Sequence, residues 1–335
     1  MSPNKKLPFY YHPGTVVLVD DQPAYLRSMV TAVGYAADCM GFSEPLQALK
    51  FLNGLSSQHL PLGGHHGEAL MEPAVLAAYL ASDQRFKLVT TLVVDYSMPG
   101  ITGLDFCRSV SLPYVRKIML TGDADSDLAV AAFNEGLIDK FFKKSSDQVV
   151  LDLNVAVLKA QINYYAMQAQ LFNESVNQKY LPSFLSNQAV IDLLSGFIQN
   201  GECCEFYFLN YQGDILLINS AGKLQLLMVR DEKAMKEMAQ DIEQIYLDEP
   251  IDAFENLLQA FKKYQVIAEP LTAQQKNMSL DEWERYAHPA NKIATAQGDI
   301  YYAVIDAASS NLDNYLGLSL EIKALDAFLS SFAVS

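Results

Sequence analysis

The chain has 335 residues, of which 50% are apolar, and a formal charge of −15. This length exceeds one ordinary domain and suits two, each with a sizeable core. The negative charge argues against broad binding to nucleic-acid backbones, although Lys140, Lys143 and Lys144 could form a local basic patch. No apolar run approaches the roughly 18 residues of a membrane-spanning helix. The first residues also lack the apolar core of a secretory signal, so we expect a cytoplasmic protein.

After an irregular lead over residues 1–14, apolar strand patterns alternate with amphipathic helix patterns. Five strands are predicted, at 15–19, 39–42, 90–95, 116–121 and 139–143. Helices are predicted between them, at 22–33, 43–52, 103–110 and 127–135. Ser43 can cap the second helix, and Gly136 can end the fourth. Five strands that alternate with helices predict a doubly wound parallel sheet.

Residues 53–86 interrupt this alternation and form a predicted insertion, which could cover part of the domain. Gly, Ser, His and Pro cluster over residues 54–67, and a helical pattern follows at 69–80. The pair His65-His66 could suggest a metal site. Because no Cys or carboxylate is spaced to complete it, the pattern favours a solvated loop. The four cysteines also lack metal-ligand spacing, which favours structural thiols in a reducing compartment.

A long helix is predicted over residues 146–177, with two adjacent apolar stripes. The first stripe contains Val150, Leu153, Val157, Ala160, Tyr164, Met167 and Leu171. The second contains Leu151, Val155, Leu158, Ile162 and Tyr165. One part of so wide an apolar surface can cover the sheet, and the rest needs a partner, either a second copy or the second domain. The alternative is that one large core buries both stripes.

The carboxyl-terminal half, from about Gln188, predicts an α+β domain. Strand patterns at 203–210, 214–219 and 223–229 form an antiparallel meander, and another strand is predicted at 299–305. Helices are predicted at 232–246, 251–263 and 318–332. The stretch from Asp281 to His288 combines acids, aromatics and a histidine that could line a pocket. A packed helix end stopped by Pro289 is the favoured interpretation.

Chemistry-bearing side chains stand at the ends of four predicted parallel strands: Asp20 and Asp21, Asp95, Thr121, and Lys143. All four strand ends meet at the same edge of the sheet, where ligands bind in open α/β folds. Three crowded carboxylates repel one another and need a cation, and their oxygens suit Mg²⁺. A carboxylate beside Mg²⁺ is a competent nucleophile toward phosphorus, and a lysine can neutralise the developing charge.

These strand ends resemble the receiver domain of two-component response regulators over roughly residues 14–150. The matching segments are Val-Leu-Val-Asp20-Asp21, Val-Val-Asp95-Tyr-Ser-Met-Pro-Gly, Ile-Met-Leu-Thr121-Gly and Phe-Phe-Lys143. The resemblance implies a flavodoxin-like (βα)5 fold and implies that Asp95 accepts phosphate from a histidine kinase or phosphotransfer protein.

The same resemblance implies a role for each site residue. Asp21, Asp95 and the backbone carbonyl of Ser97 would ligate Mg²⁺, with Asp20 acting mostly through water. Thr121 and Lys143 would contact the phosphoryl group.

The chain departs from the family pattern next to Lys143. Lys144 replaces the usual proline, and Lys140 stands where an aromatic residue usually reports phosphorylation by rotating inward. Phe141 is adjacent but should point to the other side of the strand. These departures put the Thr–aromatic switch in doubt. The alternative to a functional receiver is a degenerate one that keeps the fold and takes no phosphate.

We therefore expect a receiver domain at 1–145, a linker helix at 146–187 that could mediate homodimerisation, and a loosely PAS-like output domain at 188–335. The predicted output is control of a protein partner, in an architecture similar to atypical regulators of some quorum-sensing circuits. The alternatives are binding of a nucleotide or small molecule, an unrecognised enzyme, or unfamiliar DNA binding, which the charge argues against. Beyond the receiver's own phosphorylation and dephosphorylation, no enzymatic motif is evident.

Overall fold

The computed structural model describes residues 8–33, 38–55, 71–122, 126–175, 187–245, 251–269, 280–310, 312–317 and 319–331. The chain forms two compact units, each assembled from separated segments. The parallel-sheet unit comprises Tyr11–His66, Asp83–Glu174 and Ala327–Ser335, and the antiparallel-sheet unit comprises Met1–Tyr10, Gly67–Ser82 and Ser175–Asp326. Among the described residues, no helix has the length and apolarity needed to span a bilayer.

The parallel-sheet unit confirms the predicted flavodoxin-like fold. In chain order its strands are Thr15–Val19, Cys39–Phe42, Val89–Asp95, Arg116–Thr121 and Lys140–Lys143. In space the second strand lies at one edge, followed by the first, third, fourth and fifth, and all pair in parallel. The first and third strands are buried along their whole length, as expected for central strands covered on both faces.

Helices cover both faces of this sheet. The α-helices are Pro23–Val33, Pro45–Gly54, Gly103–Ser109, Ser126–Asn134 and Val149–Ser175, with a 3₁₀ turn at Asp83–Lys87. Alternate strand residues point to opposite faces, so Val17 and Val19 join one apolar cluster, and Val16 and Leu18 join the other. Helices Pro23–Val33 and Val149–Ser175 pack on the second cluster.

The helix predicted from Ser43 begins two residues later, at Pro45, with Glu44 as the N-cap. The prediction that Ser43 caps this helix was wrong. Proline is favoured in the first turn because its fixed φ suits the helix and its missing N–H is not needed there. The residue before a proline is driven to extended backbone, and Glu44 has φ −111° and ψ 104°.

Helix Val149–Ser175, called here the long helix, buries only part of its apolar surface. Its side chains are described through Met167, so Leu171 of the first predicted stripe lies outside the described side chains. Of those described, the buried ones are Val149, Leu153, Ala156, Val157, Ala160, Gln161, Tyr164 and Tyr165. The exposed apolar side chains are Val150, Leu151, Val155 and Met167, of which Leu151 is 64% exposed. Each predicted stripe is therefore divided between the core and the surface.

Buried polar contacts fix the long helix to the residues that precede the first strand of the sheet. The Gln161 amide accepts a hydrogen bond from the Gly14 N–H at 3.2 Å and donates one to the Gly14 carbonyl at 3.4 Å. The Tyr165 hydroxyl lies 3.0 Å from Nδ1 of the fully buried His12. Burial lowers the pKa of His12 to about 3, so this imidazole is neutral in the folded protein.

The antiparallel-sheet unit confirms the predicted meander and extends it. The six strands, in spatial order, are Tyr10–Tyr11, Glu205–Phe208, Asp214–Ile218, Leu224–Asp231, Ile300–Asp306 and Asn291–Ile293. The edge strand Tyr10–Tyr11 lies in the lead that we predicted to be irregular. A separate two-stranded antiparallel sheet pairs Val266–Ala268 with Ala287–Pro289.

Seven helices of this unit are described. The α-helices are Pro73–Leu80, Gln188–Gln199, Glu232–Ile245, Ile251–Lys262, Leu280–Tyr286 and Leu312–Leu316, with a 3₁₀ turn at Ala307–Ser309. The short helix Leu325–Ser330 spans the boundary between the two units. The helix Gln188–Gln199 was not predicted as a helix, although Asn187 caps it by accepting a hydrogen bond from the Ala189 N–H.

Helix Pro73–Leu80, called here the insertion helix, belongs to the antiparallel-sheet unit rather than to the unit whose sequence it interrupts. Its Tyr79 ring contacts the rings of Tyr10 and Tyr207, with centroids 6.4 and 6.2 Å away. Its Leu80 carbonyl accepts a hydrogen bond from the Lys323 N–H. Lys323 lies in the segment 318–332, which we predicted to be helical. The structure begins this helix only at Leu325, so the predicted helix was too long.

The stretch around Trp283 forms packed structure, as the favoured interpretation predicts. Helix Leu280–Tyr286 runs directly into strand Ala287–Pro289, and the Trp283 ring contacts the rings of Phe254 and Phe261 in an apolar cluster. His288 lies 2.6 Å from the buried carboxylate of Glu269.

Candidate functional site

Two neighbouring strands bring three aspartates together at one edge of the parallel sheet. Asp20 and Asp21 follow the first strand, and Asp95 ends the third strand, whose Val94 lies opposite Val19. One carboxylate oxygen from each of the three residues lies within 4.8 Å of the other two. Asp20 and Asp95 are each only 3% exposed, so their charges are poorly screened by water and require compensation.

The compensating charge comes from Lys144. Its Nζ donates to Oδ2 of Asp20 at 2.7 Å and lies 2.9 Å from Oδ1 of Asp95. Burial opposes the charge of this ammonium, but the hydrogen bonds and charges of the two aspartates outweigh it and raise the Lys144 pKa. The lysine therefore stays charged and holds two carboxylates together.

Burial raises the pKa of Asp95, and the nearby charge of Asp20 adds to this effect. The hydrogen bond and charge of Lys144 oppose the rise, as does a bond from the backbone of Ser97. Asp20 has a second partner, since its Oδ1 accepts from the Gln22 N–H at 2.9 Å. Both carboxylates are thus fixed by donors on separate elements.

The lysine that reaches the aspartates is Lys144, whereas the motif pointed to Lys143. Lys143 ends the fifth strand opposite Thr121 and is exposed. Side chains alternate along a strand, which puts Lys144 on the same side as Phe142. Phe142 and Tyr25 both pack on the cluster beneath helix Pro23–Val33, so this side faces Asp20. Adjacent lysines made the two assignments indistinguishable by sequence.

The choice of Lys144 as the site lysine also changes which residue occupies the position where the family usually has an aromatic side chain. Counted back three residues from Lys144, the position is occupied by Phe141 rather than Lys140. Phe141 is half-buried and packs on the apolar cluster of one sheet face, whereas Phe142 packs on the cluster of the other face. The centroids of the Phe141 and Phe133 rings are 6.4 Å apart. Lys140 is exposed, with its Nζ 5.2 Å from the centroid of the Phe142 ring.

The remaining predicted site residues lie near the same edge. Thr121 ends the fourth strand, is fully buried, and places its Oγ1 3.5 Å from the Phe142 carbonyl. Ser97 follows Asp95 by two residues, is exposed, and belongs to a two-stranded hairpin formed by Ser97–Met98 and Ile101–Thr102.

Glycine allows the loop after Asp95 to fold back against the strand. Gly100 has φ +79°, a conformation that L side chains rarely adopt. The Gly103 N–H donates to the Tyr96 carbonyl at 2.8 Å, and a Cβ at Gly103 would lie 2.3 Å from the Asp95 carbonyl oxygen. The close approach of backbone to backbone at Gly103 therefore helps to fix the position of Asp95.

The three aspartates fit a magnesium ion. The Oδ1 atom of Asp21 is buried and has no hydrogen-bond partner among the described residues, unlike the carboxylates of Asp20 and Asp95. An orphaned buried carboxylate oxygen is costly unless a cation or water satisfies it. Oxygen donors from few carboxylates are the set that Mg²⁺ prefers, with room left for water and phosphate oxygens.

The other residues that we considered for chemistry are two histidines and the cysteines. His65 and His66 lie outside the described residues. The thiols of Cys39 and Cys203 have pKa values raised to about 12, chiefly by burial, and that of Cys107 is raised to about 11. Such thiols are unreactive, in agreement with a structural role.

Comparisons with known proteins find a solved structure that resembles the whole chain. No protein-family model matches the chain. The structure of the Legionella pneumophila response regulator LqsR covers 96% of this chain and 95% of its own, with 25% identity and a TM-score of 0.74. The DNA-binding transcriptional regulator NtrC of Salmonella typhimurium is 35% identical over 105 residues, or 31% of this chain. The chain matches only 20% of the length of NtrC.

The agreement with LqsR extends over both units, and the aspartates and the threonine predicted from the receiver motifs lie at one edge of a five-stranded parallel sheet. The chain is thus similar to a response regulator over nearly its whole length, and its parallel-sheet unit has the fold of a receiver domain.

Proposed function

We propose that the protein is phosphorylated on Asp95 in a Mg²⁺-dependent reaction, with a histidine kinase or a phosphotransfer protein as donor. The observation that carries this proposal is the meeting of Asp95 with Asp20, Asp21 and the Lys144 ammonium at one sheet edge. A degenerate receiver would have no need to retain an acceptor, an acidic cluster and a paired cation together.

In the proposed reaction, a carboxylate oxygen of Asp95 attacks the phosphorus of a donor phosphohistidine. The new P–O bond replaces the P–N bond, and the leaving imidazole takes a proton from water. Asp21, Asp95 and the Ser97 carbonyl would hold Mg²⁺, which supplies positive charge for the phosphoryl oxygens. Lys144 would move its bonds from the carboxylates to a phosphoryl oxygen, and the Thr121 hydroxyl would donate to another.

The proposed signal leaves the site through Thr121 and Phe141. Thr121 would shift toward the phosphoryl group and vacate space beside the fifth strand, where the half-buried Phe141 contacts Phe133 of helix Ser126–Asn134. Small shifts of this kind are amplified when the packed elements have two alternative arrangements. When Lys144 is the site lysine, the aromatic residue of the Thr–aromatic switch is Phe141, three residues earlier. The presence of Lys140 then no longer argues against this switch.

The proposed output is dimerisation or binding of a protein partner. Exposed apolar side chains occur on the two helices that flank the fifth strand in sequence: Leu128, Val130 and Phe133 on one, and Val150, Leu151 and Val155 on the long helix. Apolar surface of this kind is typical of interaction sites. The DNA binding named for NtrC is not proposed, because the match covers a fifth of that protein and the net charge here is −15.

The test is incubation with acetyl phosphate and Mg²⁺, followed by intact mass measurement. We expect one phosphoryl group on the wild type, none on Asp95→Asn, and none when EDTA removes the metal. An equal gain of mass on Asp95→Asn would place the acceptor elsewhere. Light scattering with beryllofluoride then tests the output, since Leu151→Glu should weaken any dimer without preventing phosphorylation.

A further inference from the structure

Tyr25 lies beside the site, although it belongs to none of the family motifs in the sequence. It is in the first turn of helix Pro23–Val33 and is half-buried. The Lys144 Nζ lies 4.7 Å from the centroid of its ring. This distance is typical of a cation–π contact, in which the electron-rich face of the ring attracts an ammonium.

The contact completes the environment of the lysine. An ammonium has three donor hydrogens, and two directions are taken by Asp20 and Asp95. The ring of Tyr25 is a third partner of the ammonium. With these partners, the Lys144 side chain is only 19% exposed. Because the ring displaces water from the ammonium, it strengthens the pairing with the two carboxylates.

The hydroxyl of Tyr25 differs from the ring because it does not contribute to the contact with Lys144. Its oxygen is buried and has no hydrogen-bond partner within the part of the chain that the structure describes. A buried hydroxyl without a partner destabilises the folded protein rather than supporting it. The part of Tyr25 that contacts the site is therefore the ring, and the hydroxyl is not needed to hold Lys144.

We propose that Tyr25 is a positioning residue, whose ring holds the Lys144 ammonium over Asp20 and Asp95 and so sets the rate of phosphoryl transfer to Asp95. This inference rests on the proposed function and adds a residue to its site. The opposing view is that Tyr25 is simply a core residue of its helix, since the ring also packs on the cluster containing Leu26 and Met29.

Two substitutions separate the ring from the hydroxyl. Tyr25→Phe keeps the ring, so we expect phosphorylation by acetyl phosphate at a rate within about twofold of the wild type, and an unchanged or higher Tm. Tyr25→Leu removes the ring, and phosphorylation should slow roughly three- to thirtyfold, which corresponds to the strength of a partly desolvated cation–π contact. Tyr25→Met introduces a flexible side chain of a size similar to leucine, and it should slow phosphorylation as much as Tyr25→Leu.

A double-mutant cycle tests whether the effect acts through the lysine. In a Lys144→Ala background, Tyr25→Leu should cause no further loss of rate. An equal loss in both backgrounds would overturn the proposal, because a general packing defect does not depend on Lys144.

A second readout is independent of phosphorylation. In NMR spectra of the full chain with labelled lysine, the Lys144 side-chain signals, assigned by their absence in Lys144→Ala, should show an upfield ring-current shift. The shift should persist in Tyr25→Phe and disappear in Tyr25→Leu. Lys144 signals that do not move in Tyr25→Leu would overturn the positioning role. If the wild type takes up no phosphate, the proposed function fails, and these signals still decide whether Tyr25 holds the lysine.

Discussion

Replacement of Lys144 by alanine is the sharpest test of which lysine serves the site. The side chain makes two charge-assisted contacts, at 2.7 and 2.9 Å, with carboxylates that are almost fully buried. A hydrogen bond to a charged group contributes about 1.5–3 kcal/mol. If one such bond is transferred to the phosphoryl group, the loss of these about 1.5–3 kcal/mol slows phosphorylation roughly 10- to 150-fold. Lys143→Ala, which removes an exposed neighbour of the same charge, should change the rate less than about twofold.

The assay is the initial rate of phosphate incorporation from acetyl phosphate with Mg²⁺ at saturation, measured by intact mass for both variants. Calorimetry should also show that Lys144→Ala binds Mg²⁺ at least about tenfold more tightly, because the metal no longer competes with an ammonium for the same oxygens. A larger loss of phosphorylation rate in Lys143→Ala than in Lys144→Ala would refute the assignment of Lys144 to the site. So would a Lys144→Ala variant that is phosphorylated at the normal rate and binds the metal no more tightly.

Three further predictions concern other contacts. Gly103→Ala should lower Tm and slow phosphorylation, because its Cβ would lie 2.3 Å from the Asp95 carbonyl oxygen; Gly54→Ala, with open space around it, is the control. Burial lowers the folded pKa of His12 to about 3, so its contribution to stability is present above pH 6.5 and is lost as pH falls. Between pH 7.5 and 5 the unfolding free energy should drop by about 2 kcal/mol more in wild type than in His12→Gln, as measured by urea denaturation. Arg230→Met leaves the buried Asp214 without the cation that lies 2.6 Å from its Oδ1 atom and should destabilise the antiparallel-sheet unit by about 3–5 kcal/mol. Phosphorylation should be retained, and a normal Tm would contradict the importance of that ion pair.

The parallel sheet was predictable from sequence because its central strands are apolar runs buried on both faces. Strands Thr15–Val19 and Val89–Asp95 carry so few polar residues that only a covered sheet suits them. Their ends brought Asp20, Asp21 and Asp95 together for the same reason, since parallel strands deliver their last residues to one edge.

The choice between Lys143 and Lys144 lay beyond the sequence. Lys143 ends a short strand and Lys144 comes directly after it, and a shift of one residue in register exchanges the side that each faces. Short edge strands were also missed, because two or three residues, as in Tyr10–Tyr11, carry no readable period. Helix 318–332 was predicted too long because apolar periodicity does not reveal that the Lys323 N–H bonds to Leu80, more than two hundred positions earlier in the sequence.

The assignment of the insertion helix to the antiparallel-sheet unit has a practical consequence for cutting this protein into parts. An expression fragment that starts at Gln188 would contain the central strands of the six-stranded sheet. It would lack Tyr10 and Tyr79, whose rings contact Tyr207, and also the Leu80 carbonyl that pairs with Lys323. Fusion designs that exchange the parallel-sheet unit at a single junction near residue 175 would therefore leave behind pieces of the antiparallel-sheet unit. Three additional junctions would be needed to carry these pieces across: one after Tyr10 and one at each end of the segment Gly67–Ser82.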